Sequence, residues 1–363
     1  MQKHLFRAVF PLALALVLAF SCTVPRAAAE EEYFKFSRLI PDVFDTKTTL
    51  IGFAESQESF DRAADEVTAQ LTAYDRIFDA YTPYEGLNNL YYVNRHAGEE
   101  PVSVPTDLFE LLSWCKARWE EGLRVTNVAM GAVLSIWHEY REAGLNDPEH
   151  AELPPEDMLL AANAHVSLDD VVLDSEKQTV FFSDPGLTLD IGAVAKGFAA
   201  DKVNGFLSHE MPSYLLSLGG NVYAGAPPLD GRQNWAVGVQ DPLTDELSLA
   251  LGKTEIMDIM DVNRLTVVTS GDYWRYYLVD GVKYHHIIDP VTLMPARQMI
   301  SVTVICQSST LADFLSTTFF ALSYEDGLQL ADRLDGVDVM WVLPDGSVHC
   351  TDGMIRYARS LKQ

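Results

Sequence analysis

LADFLSTTFFAL, residues 311–322, places Asp313 and Thr317 four positions apart in a segment that is typical of a helix. Residues four apart lie on successive turns of one helix face, so the carboxylate and the hydroxyl share that face. Two such oxygens suit a hard cation such as Mg²⁺, and a magnesium site suggests phosphate chemistry. Two structural explanations stay open: Thr310 and Asp313 also spell a capping box, and the Thr317 hydroxyl can bond the Asp313 carbonyl.

Residues 1–29 have the features of a secretory signal. Lys3 and Arg7 precede an apolar run, residues 8–20, that is too short to span a bilayer. Two cleavage sites compete: Cys22 in an imperfect lipoprotein box, which would carry a lipid, and an A-x-A site at 27–29, which would release a soluble protein. Both predict export to the periplasmic or extracytoplasmic side of a bacterial membrane, with a lipid anchor in the first case.

The remaining chain reads as one soluble body. Residues 30–42 are acidic, then mixed, and suggest a linker, so we expect a single catalytic domain of two subdomains over residues 43–361. The formal net charge of −26 argues against nucleic acid or anionic lipid headgroups as partners. The four cysteines form no CxxC pair, which argues against a zinc knuckle or a thioredoxin-type motif.

Periodicity predicts both helices and strands. Residues 46–54 are rich in threonine and β-branched side chains and predict a strand, whereas apolar residues at three- and four-residue spacing from Ser59 to Tyr74 predict a helix. The second half alternates apolar runs with Asp-Pro, Asp-Gly and Gly-Asp turns. Because strands and helices do not alternate regularly, the pattern favours an α+β fold with mixed or antiparallel sheets and flanking helices.

One further segment suggests an anion site. LTLDIGAVAKGFAADKV, residues 187–203, predicts a strand that leads Asp190 into a glycine turn, with a helix beginning near Ala193. Lys196 then lies in the first turns, where free amides and the helix dipole favour an anion. A surface lysine after a turn glycine is the plain alternative.

Three other segments are individually weak signals. Gly219 and Gly220 in SLGGNVYAGAP (217–227) permit a close backbone approach to a ligand or form an ordinary turn. Arg275 stands in the aromatic segment TSGDYWRYY (269–277), and His286 in HHIIDPVTLMP (285–295) is a candidate base or phosphate ligand beside an Asp-Pro turn. Neither GxGxxG nor GxxxxGK[ST] occurs, which excludes the Rossmann and P-loop motifs.

Taken in order, DIGAVAKGFAAD, SLGGN, TSGDYWR, HHIIDPVTLMPA and ADFLSTTFFAL resemble the ApbE family, the FAD:protein FMN transferases. The resemblance runs from about Phe44 to the last helix and implies two subdomains around a flavin-nucleotide cleft. It implies cleavage of FAD, transfer of FMN to a Ser or Thr hydroxyl of an acceptor protein, and release of AMP. Two alternatives stay open: an FAD pyrophosphatase giving FMN and AMP, and a non-catalytic FAD-binding lipoprotein.

The resemblance also implies roles for individual residues. Asp313, Thr317 and the backbone of Ala193 match the family's metal ligands, and His286 matches a histidine that we expect to be the base. The resemblance implies flavin-nucleotide contacts from Phe44, Tyr81, Thr126, Asn127, Asp190, Lys196, Gly219, Gly220, His286 and Ile287. Two departures stand out: Thr126-Asn127 replaces the family's Phe-Asp, so an amide stands where a carboxylate is usual, and Leu293 replaces the glycine of the Asp-Pro-x-Thr-Gly turn.

Overall fold

The computed structural model describes residues 32–244, 255–273 and 275–362. The predicted signal segment, Cys22 and both cleavage sites lie outside these residues, as does Trp274. Among the described residues, no helix combines the length and the apolar character needed to cross a bilayer.

Helices and strands are interspersed along the chain. The described helices are α1 (Gln57–Phe78), α2 (Leu90–Arg95), α3 (Thr106–Glu120), α4 (Gly131–Asn146), α5 (Glu156–Ala162), α6 (Ala195–Glu210), α7 (Ser309–Ala321) and α8 (Tyr324–Ala331). The described strands are β1 (Phe34–Val43), β2 (Thr46–Ala54), β3 (Val102–Ser103), β4 (Val171–Asp174), β5 (Thr179–Phe182), β6 (Ser213–Leu218), β7 (Asn221–Ala224), β8 (Trp235–Gln240), β9 (Ile256–Val262), β10 (Leu265–Gly271), β11 (Tyr276–Val279), β12 (Val282–His285), β13 (Ser301–Cys306), β14 (Asp338–Val342) and β15 (Val348–Cys350).

The main sheet has eight strands in the order β1-β2-β6-β7-β10-β13-β14-β15. Every neighbouring pair in it is antiparallel. Smaller antiparallel sheets are formed by β3-β5-β4, β8-β9 and β11-β12. This arrangement confirms the α+β class. The division into two subdomains stays a prediction.

The expected linker at 30–42 is wrong for most of its length, because Phe34–Val43 forms the edge strand β1. β1 pairs with β2 from Phe34 opposite Ala54 to Val43 opposite Thr46, and the register shifts between Ile40 and Val43. Pro41 lies within that irregularity, at a sheet edge, which is where a strand tolerates a residue that has no N–H. The acidic flank and this proline are typical of a linker, so the sequence did not predict the strand.

Both faces of the main sheet are buried along its central strands. Leu216 and Val268 belong to the cluster that includes apolar residues of α1, α6 and α7, whereas their neighbours Leu215 and Val267 pack with β8 and β9. Successive strand residues point to opposite faces, so each strand serves both layers. This explains why all six residues of Ser301–Cys306 are buried. The helical layer of this sandwich carries the candidate site.

Candidate active site between helices α6 and α7

Asp313 does not cap its own helix. Helix α7 begins at Ser309 with Ser308 as its N-cap, and the Ser308 hydroxyl accepts a hydrogen bond from the Leu311 N–H at 3.2 Å. The capping box expected from Thr310 and Asp313 is therefore wrong. The buried Asp313 carboxylate instead accepts a hydrogen bond from the Gly197 N–H of α6, at 2.9 Å to Oδ2.

Gly197 is what allows the two helices to meet at this point. A Cβ atom on Gly197 would lie 2.3 Å from the Ser309 carbonyl oxygen and 2.8 Å from the Asp313 Cβ. Both separations are shorter than real contacts of a Cβ atom, so any other residue here would push the helices apart. The absent side chain thus brings the Gly197 N–H within reach of the Asp313 carboxylate.

The Ala193 carbonyl lies just before helix α6 and takes no part in its hydrogen bonding. Helix α6 begins at Ala195, two residues after Ala193, and its N-cap Val194 accepts from the Phe198 N–H at 3.0 Å. Gly197 lies in the first turn, whose N–H groups have no partner within the helix, and its N–H donates to Asp313. Among the residues that the structure describes, no backbone N–H donates to the Ala193 oxygen.

Thr317 follows Asp313 by one turn and has a half-buried side chain. The alternative in which its hydroxyl bonds the Asp313 carbonyl is not observed; that carbonyl accepts from the Ser316 hydroxyl at 2.9 Å. Within the described part of the chain, the Thr317 hydroxyl has no hydrogen-bond partner. α7 therefore presents a carboxylate and an uncommitted hydroxyl on one face, and the carboxylate contacts the first turn of α6.

Lys196 supplies positive charge to this group of oxygens. Its Nζ lies 4.0 Å from Asp313 Oδ2 and donates to the Gly192 carbonyl at 3.4 Å. Burial raises the pKa of Asp313, while Lys196 and the Gly197 N–H act to lower that pKa. Among the described residues, no group of three or more His, Cys, Asp or Glu side chains could together hold a metal ion. Any cation bound here would need backbone and hydroxyl oxygens as well as the carboxylate.

Tyr81 and Asp190 meet, although they are 109 residues apart in sequence. The Tyr81 hydroxyl donates to Asp190 Oδ2 at 2.9 Å, and the Gly192 N–H donates to Asp190 Oδ1 at 2.8 Å. Burial raises the pKa of Tyr81, and the Asp190 carboxylate adds to the shift. The Tyr81 ring packs on His138, with 4.8 Å between ring centroids, and Tyr81 remains 48% exposed. An aromatic surface therefore borders the turn that leads into α6.

His286 directly follows β12 and is a half-buried, neutral imidazole. Its Nδ1 is buried and has no hydrogen-bond partner among the described residues. Burial, with smaller contributions from Arg275, His285 and Lys196, lowers the pKa of His286 to about 3. Ile287, in contrast, has both backbone groups engaged: its N–H donates to His285 Nδ1 at 3.2 Å and its carbonyl accepts from the Ala296 N–H at 2.9 Å.

His285 has a structural role. Its Nε2 lies 2.8 Å from the Ala296 carbonyl, which can only accept, so Nε2 carries the proton and Nδ1 accepts from Ile287. With both nitrogens satisfied, His285 holds the turn that presents its neighbour His286.

Phe44 and Gly219 lie at one end of the main sheet. Phe44 occupies the β1–β2 turn with φ 53°, its N–H donates to Asp75 Oδ1 at 3.2 Å, and its carbonyl accepts from Arg275 at 3.5 Å. Gly219 and Gly220 form the β6–β7 turn with φ 52° and 90°, and a Cβ on Gly219 would lie 2.2 Å from Thr46 Oγ1. The paired glycines thus allow two turns to pack closely.

The side chains of Thr126 and Asn127 bond within the protein. The Thr126 hydroxyl lies 2.7 Å from the Thr318 hydroxyl and donates to the Phe314 carbonyl at 3.2 Å, which ties it to α7. Asn127 Nδ2 donates to the Val166 carbonyl at 2.8 Å, while its Oδ1 accepts from the Ala129 N–H at 2.9 Å. The predicted nucleotide contacts of these two residues stay a prediction.

Leu293 keeps the turn that a glycine would favour. It adopts φ 60°, a conformation unfavourable for leucine, and its N–H donates to the Asp289 carbonyl at 2.9 Å. Its side chain is buried in a cluster with Trp137, whose indole N–H donates to the Leu293 carbonyl at 2.8 Å. Side-chain burial therefore offsets the backbone strain at this position.

Sequence reasoning missed two residues that build the site. Gly197 carried a detectable signal, since a glycine inside a predicted helix often marks a close approach. Asp201 carried none: it bonds the first turn of α7, more than 100 residues away.

The family model for the ApbE family matches residues 44–341 of this chain, and the chain therefore belongs to the ApbE family. Membership confirms the resemblance and the expected enzyme class at the level of the family.

Relatives of this chain carry the name FAD:protein FMN transferase. One, from Treponema pallidum (strain Nichols), is 34% identical over 309 residues, which cover 82% of each chain. Another, from Klebsiella pneumoniae (strain 342), is 30% identical over 276 residues, covering 74% of this chain and 81% of the relative.

Solved structures share the fold. The crystal structure of the ApbE protein from Thermotoga maritima superposes with a TM-score of 0.75 at 26% identity, over 90% of this chain and all of that one. The apo form of the flavinyl transferase ApbE from Pseudomonas stutzeri superposes with a TM-score of 0.71 at 23% identity, over 90% of this chain and 96% of that one.

Proposed function

We propose that this protein transfers FMN from FAD to a Ser or Thr hydroxyl of an acceptor protein, releases AMP, and requires Mg²⁺. One observation carries the proposal: the buried Asp313 carboxylate accepts the Gly197 N–H of α6 and lies 4.0 Å from Lys196 Nζ, so a carboxylate and a cationic side chain meet at the start of α6. The names of the relatives support the transfer of FMN, and the oxygen-rich site supports the metal.

The residues present fit a hard divalent cation. Asp313 would supply a carboxylate oxygen, Thr317 a hydroxyl and Ala193 a carbonyl, and hard cations such as Mg²⁺ prefer oxygen ligands of these kinds. A bound Mg²⁺ would stabilise negative charge on the pyrophosphate oxygens during transfer. Lys196 would add a second positive charge from the first turn of α6.

The proposed transfer exchanges a phosphoanhydride bond of FAD for a phosphate ester bond to the acceptor. The acceptor oxygen bonds the FMN phosphorus, the bond from that phosphorus to the bridging oxygen breaks, and AMP leaves with the bridging oxygen. The hydroxyl proton passes to a base, for which His286 is our candidate because a neutral imidazole nitrogen can accept it. Lys196 and Arg275 lower the pKa of His286 in the free protein, and a bound pyrophosphate anion would oppose their effect.

The aromatic and carboxylate pair at Tyr81 and Asp190 is proposed to bind the nucleotide beside this centre. Tyr81 offers an exposed ring for stacking against a planar heterocycle. Its hydroxyl is oriented by Asp190, which also holds the Gly192 N–H of the turn before α6. A ring bound on Tyr81 would thus be coupled to the turn that carries Ala193 and Lys196.

The test separates transfer from its alternatives. The protein is incubated with FAD, Mg²⁺ and a candidate acceptor domain, and the products are weighed by mass spectrometry. An acceptor that gains the mass of FMN supports transfer. FMN and AMP without a mass gain indicate hydrolysis, and unchanged FAD indicates binding alone; either result, with a competent acceptor, would reject the proposal.

Variants at Asp313 test the metal site. Asp313→Asn keeps an oxygen that can accept the Gly197 N–H but removes the charge, so we expect Mg²⁺-dependent turnover to fall about 100-fold or more while the protein stays folded. Asp157→Ala, which removes an exposed carboxylate on α5, is the matched control and should leave turnover unchanged. Wild-type turnover by Asp313→Asn at limiting Mg²⁺ would show that the metal lies elsewhere.

We also propose that the chain is exported and that Cys22 is its lipid anchor or is removed with the signal. The apolar run at residues 8–20 and the two cleavage sites support this proposal. The mass of the N-terminal peptide of protein purified from the membrane and periplasmic fractions of bacteria decides between a lipidated Cys22 and a start at Glu30. An N-terminus that begins at Met1 would refute export by either route.

A further inference from the structure

Asp201 of α6 binds the first turn of α7 through four hydrogen bonds. Its Oδ1 accepts from the Ser309 N–H at 2.8 Å. Its Oδ2 accepts from the Thr310 N–H at 2.9 Å, the Thr310 hydroxyl at 2.7 Å and the Ser308 hydroxyl at 2.8 Å. One carboxylate on one helix thus holds both backbone and side-chain donors at the start of another.

This arrangement differs from ordinary capping. The first N–H groups of a helix have no partner within it, and the N-cap side chain usually satisfies one of them. The N-cap Ser308 does so for the Leu311 N–H, whereas Ser309 and Thr310 donate to the α6 carboxylate. A negative charge at this end is also favoured by the helix dipole. The two helices are therefore fixed relative to each other at this end of α7.

The fixed point lies close to the proposed metal ligands. Asp313 is one turn beyond Ser309 on α7, and Gly197, whose N–H bonds Asp313, is one turn before Asp201 on α6. Two hydrogen-bonded contacts therefore join the helices: the Gly197 N–H to Asp313, and Asp201 to the start of α7. With both contacts formed, α7 cannot slide or rotate against α6 without breaking several hydrogen bonds.

We propose that Asp201 is a positioning residue for the metal site, which sets the Mg²⁺ affinity by holding Asp313 and Thr317 in place opposite the Ala193 carbonyl. This inference rests on the proposed function, because it takes those three residues as the ligands. Asp201 does not itself contact the metal or the substrate. It acts through the axial position of α7.

The test is a Mg²⁺ titration of FAD turnover with Asp201→Asn and Asp201→Ala. Groups that orient metal ligands typically change metal affinity 10–100-fold when removed. We expect Asp201→Ala to raise the half-saturating Mg²⁺ concentration at least about 10-fold. The half-saturating Mg²⁺ concentration of Asp201→Asn should lie between those of Asp201→Ala and the wild type, because the amide oxygen can still accept some of these hydrogen bonds. FAD affinity without Mg²⁺, from quenching of flavin fluorescence, should stay within about threefold of the wild type if only the metal site is affected.

Ser56→Ala is the matched control for the loss of a helix cap. Ser56 caps α1, in a capping box with Ser59, and lies at the exposed start of that helix. Its removal should lower stability by an amount typical of a lost cap and leave the Mg²⁺ titration unchanged. A shift of the Mg²⁺ requirement in Ser56→Ala would mean that any lost cap has this effect, which would overturn the specific role of Asp201.

The two proposals fail in different ways. Suppose that Asp201→Asn is folded and has the wild-type Mg²⁺ requirement, while Asp313→Asn has lost its Mg²⁺-dependent turnover. The proposed metal site then stands and the role of Asp201 is refuted. If Asp313→Asn keeps the wild-type requirement, the proposed ligands are wrong and the positioning role falls with them. If Asp201→Ala does not fold, the decision rests on Asp201→Asn.

Discussion

The contact of α6 with α7 at Gly197 allows a sharp test, because the same helix contains a second glycine with no such contact. Gly197→Ala would place a methyl group 2.3 Å from the Ser309 carbonyl oxygen. Gly205, also on α6, is exposed, and a Cβ there would meet no atom within 4 Å. Both substitutions give α6 the same gain in helix propensity, about 1 kcal/mol. Only in Gly197→Ala does the new methyl group force backbone atoms at the start of α7 to move.

Three contributions set the expected change in the free energy of unfolding of Gly197→Ala. The propensity gain of about 1 kcal/mol favours the variant. Overpacking of a buried contact costs about 1–3 kcal/mol, and loss of the Gly197 hydrogen bond to the buried Asp313 carboxylate costs about 1–3 kcal/mol more. We therefore expect Gly197→Ala to lower the free energy of unfolding by about 1–5 kcal/mol, and Gly205→Ala to raise it by up to about 1 kcal/mol.

Urea denaturation of the two variants and the wild type measures these differences. FAD turnover is measured at a temperature where all three proteins are folded. Gly197→Ala should lose most of its turnover, because Asp313 moves with α7, whereas Gly205→Ala should match the wild type. A Gly197→Ala protein that is as stable and as active as Gly205→Ala would refute the close approach of the helices and the role assigned to it.

Two further predictions concern the turn after β12. Leu293→Gly relieves backbone strain of about 1 kcal/mol, but it removes a buried leucine side chain that contributes about 2–5 kcal/mol. We therefore expect thermal or urea unfolding to show a net loss of stability. A gain in stability would mean that the strain is the larger contribution. Burial lowers the pKa of His285 from 6.5 to about 4, so the unfolded chain binds a proton between these pH values that the folded protein does not, and stability falls as pH drops from 6.5 toward 4. The contribution of His285 is about 2.5 pKa units at 1.36 kcal/mol each, or about 3 kcal/mol. In urea denaturation, His285→Gln should lose less stability than the wild type between pH 7 and pH 4.5. An unchanged pH dependence of stability would show that it does not originate from His285.

The local elements were largely predictable from the sequence. The apolar spacing from Ser59 to Tyr74 predicted α1, and the β-branched run at 46–54 predicted β2 with its observed bounds. Helix α7 differs from its predicted bounds by two residues at the start and one at the end. These signals are local, since a helix or strand that buries one face must repeat its apolar residues with its own period.

Other features were not evident from local patterns. β1 is a strand because the adjacent β2 pairs with it, although Pro41 and the acidic flank suggested a linker. Ser308 is the N-cap of α7, and the Asp313 carboxylate accepts from the Gly197 N–H, 116 residues away in sequence. No local pattern contains Gly197.

The sequence by itself determined that Asp313 and Thr317 share a helix face, because their four-residue spacing requires it, and the order of the motifs identified the family. Only the tertiary structure decided how the candidate site is assembled. The absent side chain of Gly197 lets α6 approach α7, the Gly197 N–H bonds the Asp313 carboxylate, and Asp201 holds the start of α7. The physical reason is that helix periodicity depends on neighbouring residues, whereas the contact of two helices depends on the packing of residues more than 100 positions apart.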